Sequence, residues 1–410
     1  MADPPDVLVV GAGPAGSAAA RALALGGARV RLLERARFPR NKPCGGGLTT
    51  RALKRFPHLP AALERIETHY ISRLYLEGPA HRGVILTSPT PAVVTIRRME
   101  FDPALAQLAV QSGAELVEGA WVSVVGADED GARVVTRDGR EFRADYLVAA
   151  DGVNGIVARR LGLNPGWEDA SLALDVMEES PGERLRALEP DTLWVSYGQG
   201  GAAGYGYIFP KRAHTNVGIG CLRSSLRGRV ALPPYEMQQR FVAELQRRGL
   251  VDGSADREEF TPYHLPLGGP IPATARGRVL VAGDAGGFVN AYTGEGIFYA
   301  MVTGELAARA ILDDAALDDP RRGTTAARAY VRAWRREIGG ELRDSVLVQK
   351  YLFRDPARID GVVAGAGRHR AVGDAIIAYA MGELSYREAR RFLIRRFPRA
   401  LFRLLKSLRE

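Results

Sequence analysis

The chain has 410 residues, of which 46% are apolar and 25% charged. This length exceeds what one hydrophobic core needs and predicts two closely packed domains, while the composition excludes a largely disordered chain. Basic residues outnumber acidic ones by 56 to 47, and the net charge of +9 favours nucleic acid, an anionic membrane surface or acidic ligands as partners. The two cysteines, Cys44 and Cys221, exclude a disulfide scaffold and indicate a reducing cytosol. Neither a signal peptide nor a spanning helix is expected from the hydropathy pattern.

The N-terminal segment predicts a βαβ unit. A continuous apolar run at 7–10 is typical of a buried parallel strand, and an alanine-rich helix at 17–25 and a second strand at 29–33 follow. The pattern G-x-G-x-x-G precedes the helix, at Gly11, Gly13 and Gly16. Such glycines let the backbone approach a pyrophosphate, and the helix N-terminus supplies aligned N–H groups. Glu34 follows the second strand, where an acidic side chain accepts hydrogen bonds from ribose hydroxyls, so this order predicts a dinucleotide site.

Later segments distinguish FAD from NAD as the dinucleotide. Asp102 as the N-cap and Pro103 as the first helical residue predict an amphipathic helix. Alternating strands with turns at 130–131 and 138–139 come next. This meander ends in a strand that leads to Asp151 and Gly152.

A further glycine-containing segment lies between residues 278 and 296. A buried strand predicted at 278–282 runs into Gly283 and Asp284, and a helix is predicted from Gly296 to about residue 312. An aspartate directly after a strand is placed to bind the hydroxyls of a ribityl chain. A helix N-terminus aimed at the flavin pyrimidine favours the anionic reduced ring. The order of these segments after the βαβ unit favours FAD.

Together these segments, at about 1–60, 95–160 and 270–315, resemble the para-hydroxybenzoate-hydroxylase-like FAD oxidoreductases. The resemblance implies an α/β fold (α+β overall), with a Rossmann-like FAD-binding domain and an inserted sheet-based substrate-binding domain at 60–95 and 160–270. C-terminal helices follow, at 316–410. It also implies that Arg98 contacts the cofactor, that Asp151 structures the second motif and that Asp284 binds the ribityl chain. The residues predicted to bind FAD are Gly11, Gly13, Pro14, Ala15, Gly16, Glu34, Arg35, Cys44, Gly45, Arg98, Val122, Asp151, Gly152, Gly283, Asp284, Gly294, Glu295, Gly296 and Ile297.

Two further stretches resemble one subgroup, the geranylgeranyl reductases, which saturate double bonds of isoprenoid chains. The first is the loop FPRNKPCGGGL at 38–48, whose glycines let a substrate or flavin edge approach the backbone. The second is YGYIFPKRAHTNVGIG at 205–220, which predicts two strands. It matches the family motif Tyr-x-Trp-x-Phe-Pro with a following Gly-x-Gly, except that Tyr207 stands at the tryptophan position. The residues predicted to bind substrate are Tyr205, Tyr207, Phe209, Pro210, Gly218 and Tyr292.

This second resemblance implies the reduction of an isolated carbon–carbon double bond. Such a bond is not polarised, so hydride addition alone would leave an unstabilised carbanion. A proton must therefore reach the less substituted carbon while reduced flavin N5 delivers hydride to the other carbon, in a dry cavity. Cys44 lies in the cysteine loop and is the candidate proton donor or positioning group, since a thiol is mostly protonated at neutral pH. The alternative is that Cys44 is a small packed residue that supports the glycine turn.

The remaining polar candidates predict no second site. Cys221 follows the Gly-x-Gly pair and is expected to pack in the sheet. The six histidines lack metal-ligand spacing, so no metal site is assigned. Glu295 is a general acid or a carboxylate at a helix N-terminus, and we favour the second interpretation. Asn290 and Tyr299 are expected near the flavin.

The C-terminal region predicts helices. A helix at about 325–353 carries an apolar stripe that is expected to pack on the substrate domain. Before it, Arg321–Gly323 follow an acidic stretch and are expected to form an exposed link into the C-terminal helices. Residues 385–410 form a basic amphipathic segment with nine basic and two acidic residues, a charge of +7 that leaves +2 for the rest of the chain. This segment either lies on an anionic membrane surface or packs on the substrate domain, with a kink or a new start at Pro398.

The leading hypothesis is a cytoplasmic FAD-dependent reductase, at the inner face of the membrane, that saturates a prenyl chain. Its lipid-like substrate is expected to be menaquinone, a prenyl phospholipid or a chlorophyll-type alcohol. Alternatives are an aromatic hydroxylase that uses a flavin hydroperoxide, a flavin halogenase, against which the cysteine loop counts, and a non-catalytic prenyl-binding carrier. The sequence has no second G-x-G-x-x-G unit, so NAD(P)H that binds transiently or reduced ferredoxin is the expected electron donor. The local concentration of basic charge argues against a nucleic-acid partner.

Overall fold

The computed structural model describes residues 6–199, 202–226, 232–316 and 322–396. The chain divides into two compact units. The first unit comprises Met1–Asn41, Met99–Glu168 and Leu265–Ser345. The second comprises Lys42–Arg98, Asp169–His264 and Val346–Glu410. The assignment of FAD-binding and substrate-binding roles to the predicted segments stays a prediction.

The strands of the described ranges lie between residues 6 and 281, in runs that are separated by helices. In chain order they are β1 (Asp6–Val10), β2 (Arg29–Leu33), β3 (Gly47–Thr49), β4 (Thr68–Ile71), β5 (Arg73–Glu77), β6 (Gly83–Thr87), β7 (Val93–Ile96), β8 (Glu115–Val117), β9 (Val122–Ala127), β10 (Ala132–Thr136), β11 (Glu141–Ala144), β12 (Tyr146–Ala149), β13 (Leu172–Pro181), β14 (Leu185–Ala187), β15 (Thr192–Tyr197), β16 (Gly204–Pro210), β17 (His214–Leu222), β18 (Val251–Gly253), β19 (Phe260–Pro266), β20 (Ala275–Arg276) and β21 (Val279–Val281). After β21, the described residues form helices and the loops that connect them.

The helices range from single turns to five turns. In chain order they are α1 (Pro14–Leu25), α2 (Arg51–Arg55), α3 (Leu59–Leu63), α4 (Arg98–Gln111), α5 (Val157–Arg160), α6 (Arg223–Leu226), α7 (Pro234–Arg247), α8 (Ile297–Ala315), α9 (Thr324–Trp334), α10 (Gly340–Phe353), α11 (Pro356–Arg368), α12 (Arg370–Ala380) and α13 (Tyr386–Arg396). A π-helical turn joins α9 to α10, and a 3₁₀ turn covers Gly283–Gly286. Within the described ranges, no helix has the length and apolar composition needed to cross a bilayer.

A six-stranded sheet lies at the centre of the first unit, in the order β20-β21-β12-β1-β2-β8. Strand β1 pairs in parallel with β2 on one side and β12 on the other, and β21 and β8 extend the parallel set. Only the short edge strand β20 is antiparallel in this sheet. The buried apolar runs of β1, β12 and β21 are those expected for parallel strands covered on both faces. The predicted α/β class and the Rossmann-like βαβ unit are confirmed.

Helices α1 and α8 pack closely in the first unit. A side chain at Gly304 of α8 would overlap the carbonyl oxygen of Ala15, so glycine is required for the two backbones to approach. Helix α1 begins at Pro14, three residues earlier than predicted, because proline fits the first helical position. The predicted turns at 130–131 and 138–139 are confirmed, since they connect the antiparallel strands of the small sheet β11-β10-β9.

A seven-stranded sheet forms the second unit, in the order β19-β13-β17-β16-β15-β5-β6. The predicted hairpin at 205–220 is β16 and β17, which pair in antiparallel register with Tyr207 opposite Gly218. Trp194, Ile208 and Val217 on one face of this sheet form a buried cluster with Phe241 of α7. The neighbouring residues along each strand lie on the opposite face of the sheet. Near β6, a second buried cluster covers this opposite face, and it contains Leu86 of β6 and Ile377 of α12.

The structure corrects two expectations for the C-terminal region. The apolar stripe of α9 packs in the first unit: the Tyr330 hydroxyl donates to the carbonyl of Val281, and the Trp334 indole donates to Thr274. The predicted packing of this stripe on the substrate domain is therefore wrong. The predicted exposed link at Arg321–Gly323 is also wrong at Gly323, which is buried and donates its N–H to the Asp314 carboxylate at the end of α8. Residues 317–321 lie outside the described part of the chain.

The predicted helical region 316–410 is divided between the two units. Residues up to Ser345 belong to the first unit and those from Val346 belong to the second. The first half of the basic segment forms α13, none of whose side chains is buried. The second half, 397–410, lies outside the described residues.

Candidate active site

In the glycine loop of the first unit, close backbone contacts require glycine at two positions. Gly11 has a φ of +101°, in the region that L side chains rarely adopt, and a Cβ there would overlap the carbonyl oxygen of Ala150. A Cβ at Gly16 would overlap the carbonyl oxygen of Gly11. Gly13 is the N-cap of α1, and no side chain caps this helix end. The loop therefore leaves the N–H groups of the first turn of α1 to an external acceptor such as a pyrophosphate.

Glu34 lies beside this loop and is buried at the end of β2. Its carboxylate accepts hydrogen bonds from the backbone N–H groups of Ala12, at 3.0 Å, and Ala36, at 3.1 Å. These bonds hold the carboxylate against the glycine loop, where its oxygens can also accept hydrogen bonds from the hydroxyl groups of a ligand.

Arg40 is a cofactor-site candidate that the sequence did not reveal. Its guanidinium lies 3.3 Å from the Glu34 carboxylate and 2.9 Å from the Asp102 carboxylate. The predicted N-cap role of Asp102 is wrong, because α4 already begins at Arg98 and the Asp102 carboxylate is fully buried in the ion pair with Arg40. Two buried carboxylates with one shared cation fix the position of Glu34 relative to α4.

Asp151 makes local contacts at the second motif, and the role implied for it stays a prediction. One carboxylate oxygen accepts a hydrogen bond from the N–H of Val157, at 3.0 Å, at the start of α5. A Cβ at Gly155 would overlap the same carboxylate. The other oxygen is buried and has no hydrogen-bond partner among the described residues, and burial raises the pKa of this carboxyl. A buried acceptor of this kind suits a ligand donor such as a ribityl or ribose hydroxyl.

The third motif brings Asp284 next to the N-terminus of α8. Gly283 has a φ of +61°, and a Cβ there would lie 2.9 Å from the Cβ of Ala15. A Cβ at Gly296, the N-cap of α8, would lie 3.4 Å from the Asp284 carboxylate. The connecting loop is held by Asn290, whose side chain accepts from the N–H groups of Tyr292 and Thr293.

These arrangements fit FAD. The first unit offers a glycine loop at a helix N-terminus for the pyrophosphate, Glu34 for the ribose, and Asp284 with the N-terminus of α8 for the ribityl chain and the ring. The remaining FAD candidates of this unit lie around them: Arg35 is exposed and stacks over Trp121, and Val122 is buried in β9. The individual contacts of these residues with the cofactor stay predictions.

In the second unit, the cysteine loop packs against the aromatic strand β16. A Cβ at Gly45 would overlap the ring of Phe209, and a Cβ at Gly46 would overlap the carbonyl oxygen of Ile96. Gly46 has a φ of +74°, and its N–H lies 3.4 Å from the sulfur of Cys44. The two stretches that resemble geranylgeranyl reductases are therefore in contact in the folded unit.

The aromatic residues of β16 share one face of the sheet. Tyr205, Tyr207 and Phe209 alternate along the strand, with ring centroids 6.1 Å apart for the first pair and 4.9 Å apart for the second. Tyr197 of β15 adds an edge-on contact to Tyr205 at 5.7 Å. This row is an apolar surface of the kind that binds an extended hydrocarbon chain.

Tyr207 directs its hydroxyl toward Asp175 of β13, two strands away. The hydroxyl lies 3.1 Å from both carboxylate oxygens, and both residues are buried. The intervening strand provides room, since a Cβ at Gly218 would lie 2.5 Å from the hydroxyl and a Cβ at Gly220 would lie 3.8 Å from the carboxylate. Burial raises the pKa of Asp175 to about 6, although the Tyr207 hydrogen bond and the charge of Lys42 oppose the shift. Burial also raises the pKa of Tyr207 well above 10.

Two anchors hold this face in place. The Thr95 hydroxyl of β7 donates to the carbonyl of Pro210 at 2.6 Å. Lys211 forms an ion pair with Glu179 of β13, and Arg97 pairs with the same carboxylate at 2.8 Å. The side chain of Lys211 is almost fully buried, so this pairing is needed to keep a cation in the interior.

Comparison with known proteins identifies the family. The model of the FAD binding domain family matches residues 5–304. A menaquinone reductase of Mycobacterium tuberculosis is 33% identical over 323 residues, which cover 75% of this chain and 76% of that protein. A digeranylgeranylglycerophospholipid reductase of Methanothermobacter thermautotrophicus is 32% identical over 365 residues, 85% of this chain and 87% of that protein. The chain belongs to the geranylgeranyl reductase family. It is an FAD-dependent oxidoreductase.

A solved structure shares the fold of this geranylgeranyl reductase family member. It is a geranylgeranyl bacteriochlorophyll reductase-like protein from Thermoplasma acidophilum, with a TM-score of 0.80 and 22% identity over 95% of this chain and 98% of that one. The likeness confirms the predicted fold class, and the match to the FAD binding domain family supports FAD as the cofactor. The predicted family resemblance is confirmed as well.

The structure of this family member groups the predicted site residues by unit. Gly11, Glu34, Asp151, Asp284 and their neighbours lie in the first unit, together with Tyr292. Cys44, Gly45, Tyr205, Tyr207, Phe209, Pro210 and Gly218 lie in the second. Sequence reasoning missed Arg40 and Asp175. The signal for Asp175 was present, because an aspartate in the apolar run 172–177 has to be buried with a partner.

Proposed function

We propose that this protein saturates carbon–carbon double bonds of an isoprenoid chain carried by a lipid-like substrate. The observation that carries the proposal is the contact between the Cys44 loop and the aromatic face of β16. Gly45 leaves no side-chain atoms between the loop backbone and Phe209, so the thiol-bearing loop and the apolar face form one surface. A prenyl chain needs an apolar surface along its length and a proton donor at the reacting bond, and this surface supplies both.

The reaction adds one hydride and one proton to the two carbons of a double bond. Reduced FAD supplies the hydride. The Cys44 thiol gives its proton to the less substituted carbon, so that the S–H bond breaks, a C–H bond forms and Cys44 is left as a thiolate. The row Tyr205, Tyr207 and Phe209 orients the chain and excludes water from the bond that is reduced.

The substrate class follows from the relatives' names and from the basic C-terminal segment. Relatives are named for menaquinone and for a digeranylgeranyl phospholipid, so a prenylated quinone, a prenyl phospholipid or a chlorophyll-type alcohol is the proposed substrate. Such substrates reside in membranes, and we propose that residues 385–410 hold the enzyme peripherally on an anionic surface. In support, no side chain of α13 is buried, and Leu393 is 40% exposed. NAD(P)H or reduced ferredoxin is the proposed electron donor.

The experiment that tests this function is anaerobic incubation of the dithionite-reduced protein with each lipid class, followed by mass spectrometry. A gain of two hydrogens for each reduced bond supports the proposal. Oxygen insertion under air, with no reduction under nitrogen, contradicts it and supports an aromatic hydroxylase. A purified protein that binds prenyl lipid without binding FAD contradicts it in favour of a carrier.

A further inference from the structure

The Asp175 carboxyl and the Tyr207 hydroxyl form a buried, hydrogen-bonded polar pair, and the proposed function uses neither of these two groups. Asp175 is 6% exposed and Tyr207 is 4% exposed, on a face that otherwise serves an apolar chain. An aspartate in such a place destabilises the fold unless its carboxyl is protonated or hydrogen-bonded. The glycines of the Gly-x-Gly pair leave space for this carboxyl and for the hydroxyl. The cost of burial and the space made for the pair indicate a function.

The pair lies next to the cysteine loop. The ring of Phe209, which fills the space beside Gly45, is 4.9 Å from the ring of Tyr207. Cys44 is the residue before Gly45, and a negative charge on its sulfur raises the pKa of the Tyr207 hydroxyl. The thiol and the hydroxyl thus act on each other electrostatically across the same surface.

Few charged or titratable groups face the pair. Lys42 of the cysteine loop lowers the pKa of Asp175, and its ammonium lies 3.8 Å from the ring centre of Tyr263. From β17, Cys221 is affected by the charge of Asp175, and burial raises the pKa of Cys221 to about 12, so it stays protonated. From β16, Tyr205 acts on Tyr207. Among the described residues, Lys42 is thus the cation whose charge acts on Asp175, and Cys44 is the thiol whose charge acts on Tyr207.

We propose that Asp175 and Tyr207 form a relay that returns a proton to Cys44 after each reduction. The inference rests on the proposed function. After the double bond takes the thiol proton, the Cys44 thiolate accepts the proton of the Tyr207 hydroxyl. Tyr207 accepts a proton from the protonated Asp175 carboxyl, and Asp175 then takes one from solvent. No electrons move in these steps, and one proton enters for each bond reduced.

The relay has a physical advantage at this position. Water near the reacting double bond would compete with that bond for the proton. A buried route through side chains returns the proton without bringing water to the apolar surface. A carboxyl whose pKa is about 6 is partly protonated near neutral pH, whereas an exposed aspartate is not. Tyr207 replaces the tryptophan of the family motif, and a tryptophan cannot accept and release a proton in this way.

The first test compares a single turnover with steady-state reduction in Asp175→Asn and Tyr207→Phe. The first reduction by dithionite-reduced enzyme uses the thiol proton itself and needs no relay, so in Asp175→Asn it is expected to stay within about threefold of the unsubstituted rate. Steady-state turnover is expected to fall by about 10- to 100-fold, since each cycle then waits for slow reprotonation. Tyr207→Trp, which restores the family residue without the hydroxyl, is expected to show the same loss of steady-state turnover. Equal steady-state rates for all variants would overturn the relay.

Two substitutions elsewhere in the second unit serve as matched controls. Tyr75→Phe removes a hydroxyl from the other face of the sheet, and Asp252→Asn removes an exposed carboxylate in β18. Both are expected to keep their steady-state rates within about twofold. FAD content and thermal unfolding of each variant show whether it is folded.

A second measurement needs no alkene and separates failure of the relay from failure of the proposed function. The rate of Cys44 alkylation by iodoacetamide is followed against pH by peptide mass spectrometry. Ionised Asp175 disfavours a thiolate nearby, so Asp175→Asn is expected to raise the alkylation rate about two- to fivefold above pH 6. Superimposable curves for the unsubstituted protein, Asp175→Asn and Tyr207→Phe would overturn the coupling of the pair to Cys44. A shifted curve without any lipid reduction would uphold the coupling and contradict the proposed function.

Discussion

Gly45 lies directly against the ring of Phe209: the Cβ that any other residue would place at position 45 would overlap two carbon atoms of that ring. The two residues come from stretches of sequence that are far apart, the cysteine loop and the Tyr-x-Tyr-x-Phe-Pro strand. Their contact unites the thiol and the aromatic row in one surface of the second unit.

Substitution of Gly45 by alanine is expected to lower lipid reduction by about tenfold or more. The new methyl group forces the Phe209 ring or the loop to move, at a cost of about 1–3 kcal/mol, and displaces Cys44 from the aromatic row. FAD content should stay unchanged. The measurement is steady-state reduction followed by mass spectrometry.

Gly47→Ala is the control for this prediction. Its Cβ would lie 3.5 Å from the Phe209 ring, which is an ordinary contact, and its backbone is in a strand. This variant is expected to stay within about twofold of the original rate. The double variant Gly45→Ala with Phe209→Leu should recover part of the lost activity, and an unimpaired Gly45→Ala protein would contradict the contact.

Replacement of Cys44 by alanine is expected to slow lipid reduction by about 100-fold, within the range for loss of a general acid. Cys44→Ser should be slowed nearly as much, because a hydroxyl is a far weaker acid than a thiol. Both variants should bind FAD, as judged by its absorbance spectrum. Unchanged turnover with FAD bound would rule out the catalytic role and leave Cys44 as a packed residue of the turn.

Removal of the Arg40 guanidinium in Arg40→Leu is expected to destabilise the protein by about 3–5 kcal/mol, because the buried carboxylates of Glu34 and Asp102 lose their shared cation. FAD should also bind more weakly, since Glu34 loses its support. Urea unfolding and FAD titration measure the two effects. Arg40→Lys should be intermediate, and Arg37→Leu, at an exposed position on the same loop, should change neither quantity.

Glu178 is expected to make stability depend on pH. Burial raises the pKa of this carboxyl to about 7, against hydrogen bonds from Asp256 and Ser180 that lower it. Its protonated form therefore stabilises the fold fully below the unfolded-state pKa, near 4.5, and this contribution is lost as the pH rises through about 7. The free energy of unfolding is therefore expected to fall by about 2–3 kcal/mol between about pH 5 and about pH 8.

Glu178→Gln is expected to remove this fall in the free energy of unfolding with rising pH. Urea unfolding at about pH 5 and about pH 8 should show a smaller difference for the variant than for the original protein. Glu258→Gln is the matched control, since the Glu258 side chain is 82% exposed. A decline that is equally steep in all three proteins would contradict the assignment to Glu178.

Truncation before Ser385 is expected to abolish sedimentation with anionic vesicles, because the removed segment carries a charge of +7. Binding of the full chain should weaken at high salt and on neutral vesicles. FAD content and reduction of a detergent-solubilised lipid should persist in the truncated protein. Equal binding of both proteins to anionic vesicles would rule out the membrane role of this segment.

Local patterns made much of the first unit predictable. The strand at 7–10, the glycine loop and the helix after it are contiguous, so each constrains the next and the βαβ unit can be recognised without distant contacts. The corrected start of α4 shows the limit. Asp102 has the residue type of an N-cap, but its carboxylate pairs with Arg40, which the sequence places on a separate element.

By itself, the sequence determined the α/β class, the order of the glycine and aspartate motifs, the family and the two stretches that are proposed to carry its chemistry. It could do so because the glycine pattern, the hairpin motif and the strand periodicity are set by residues near one another in the chain. Tertiary structure alone decided that Gly45 meets Phe209 and that the Tyr207 hydroxyl reaches Asp175, 32 residues away. These contacts depend on strand order in the seven-stranded sheet, where β17 separates β13 from β16, and such pairing is fixed by packing of the whole unit.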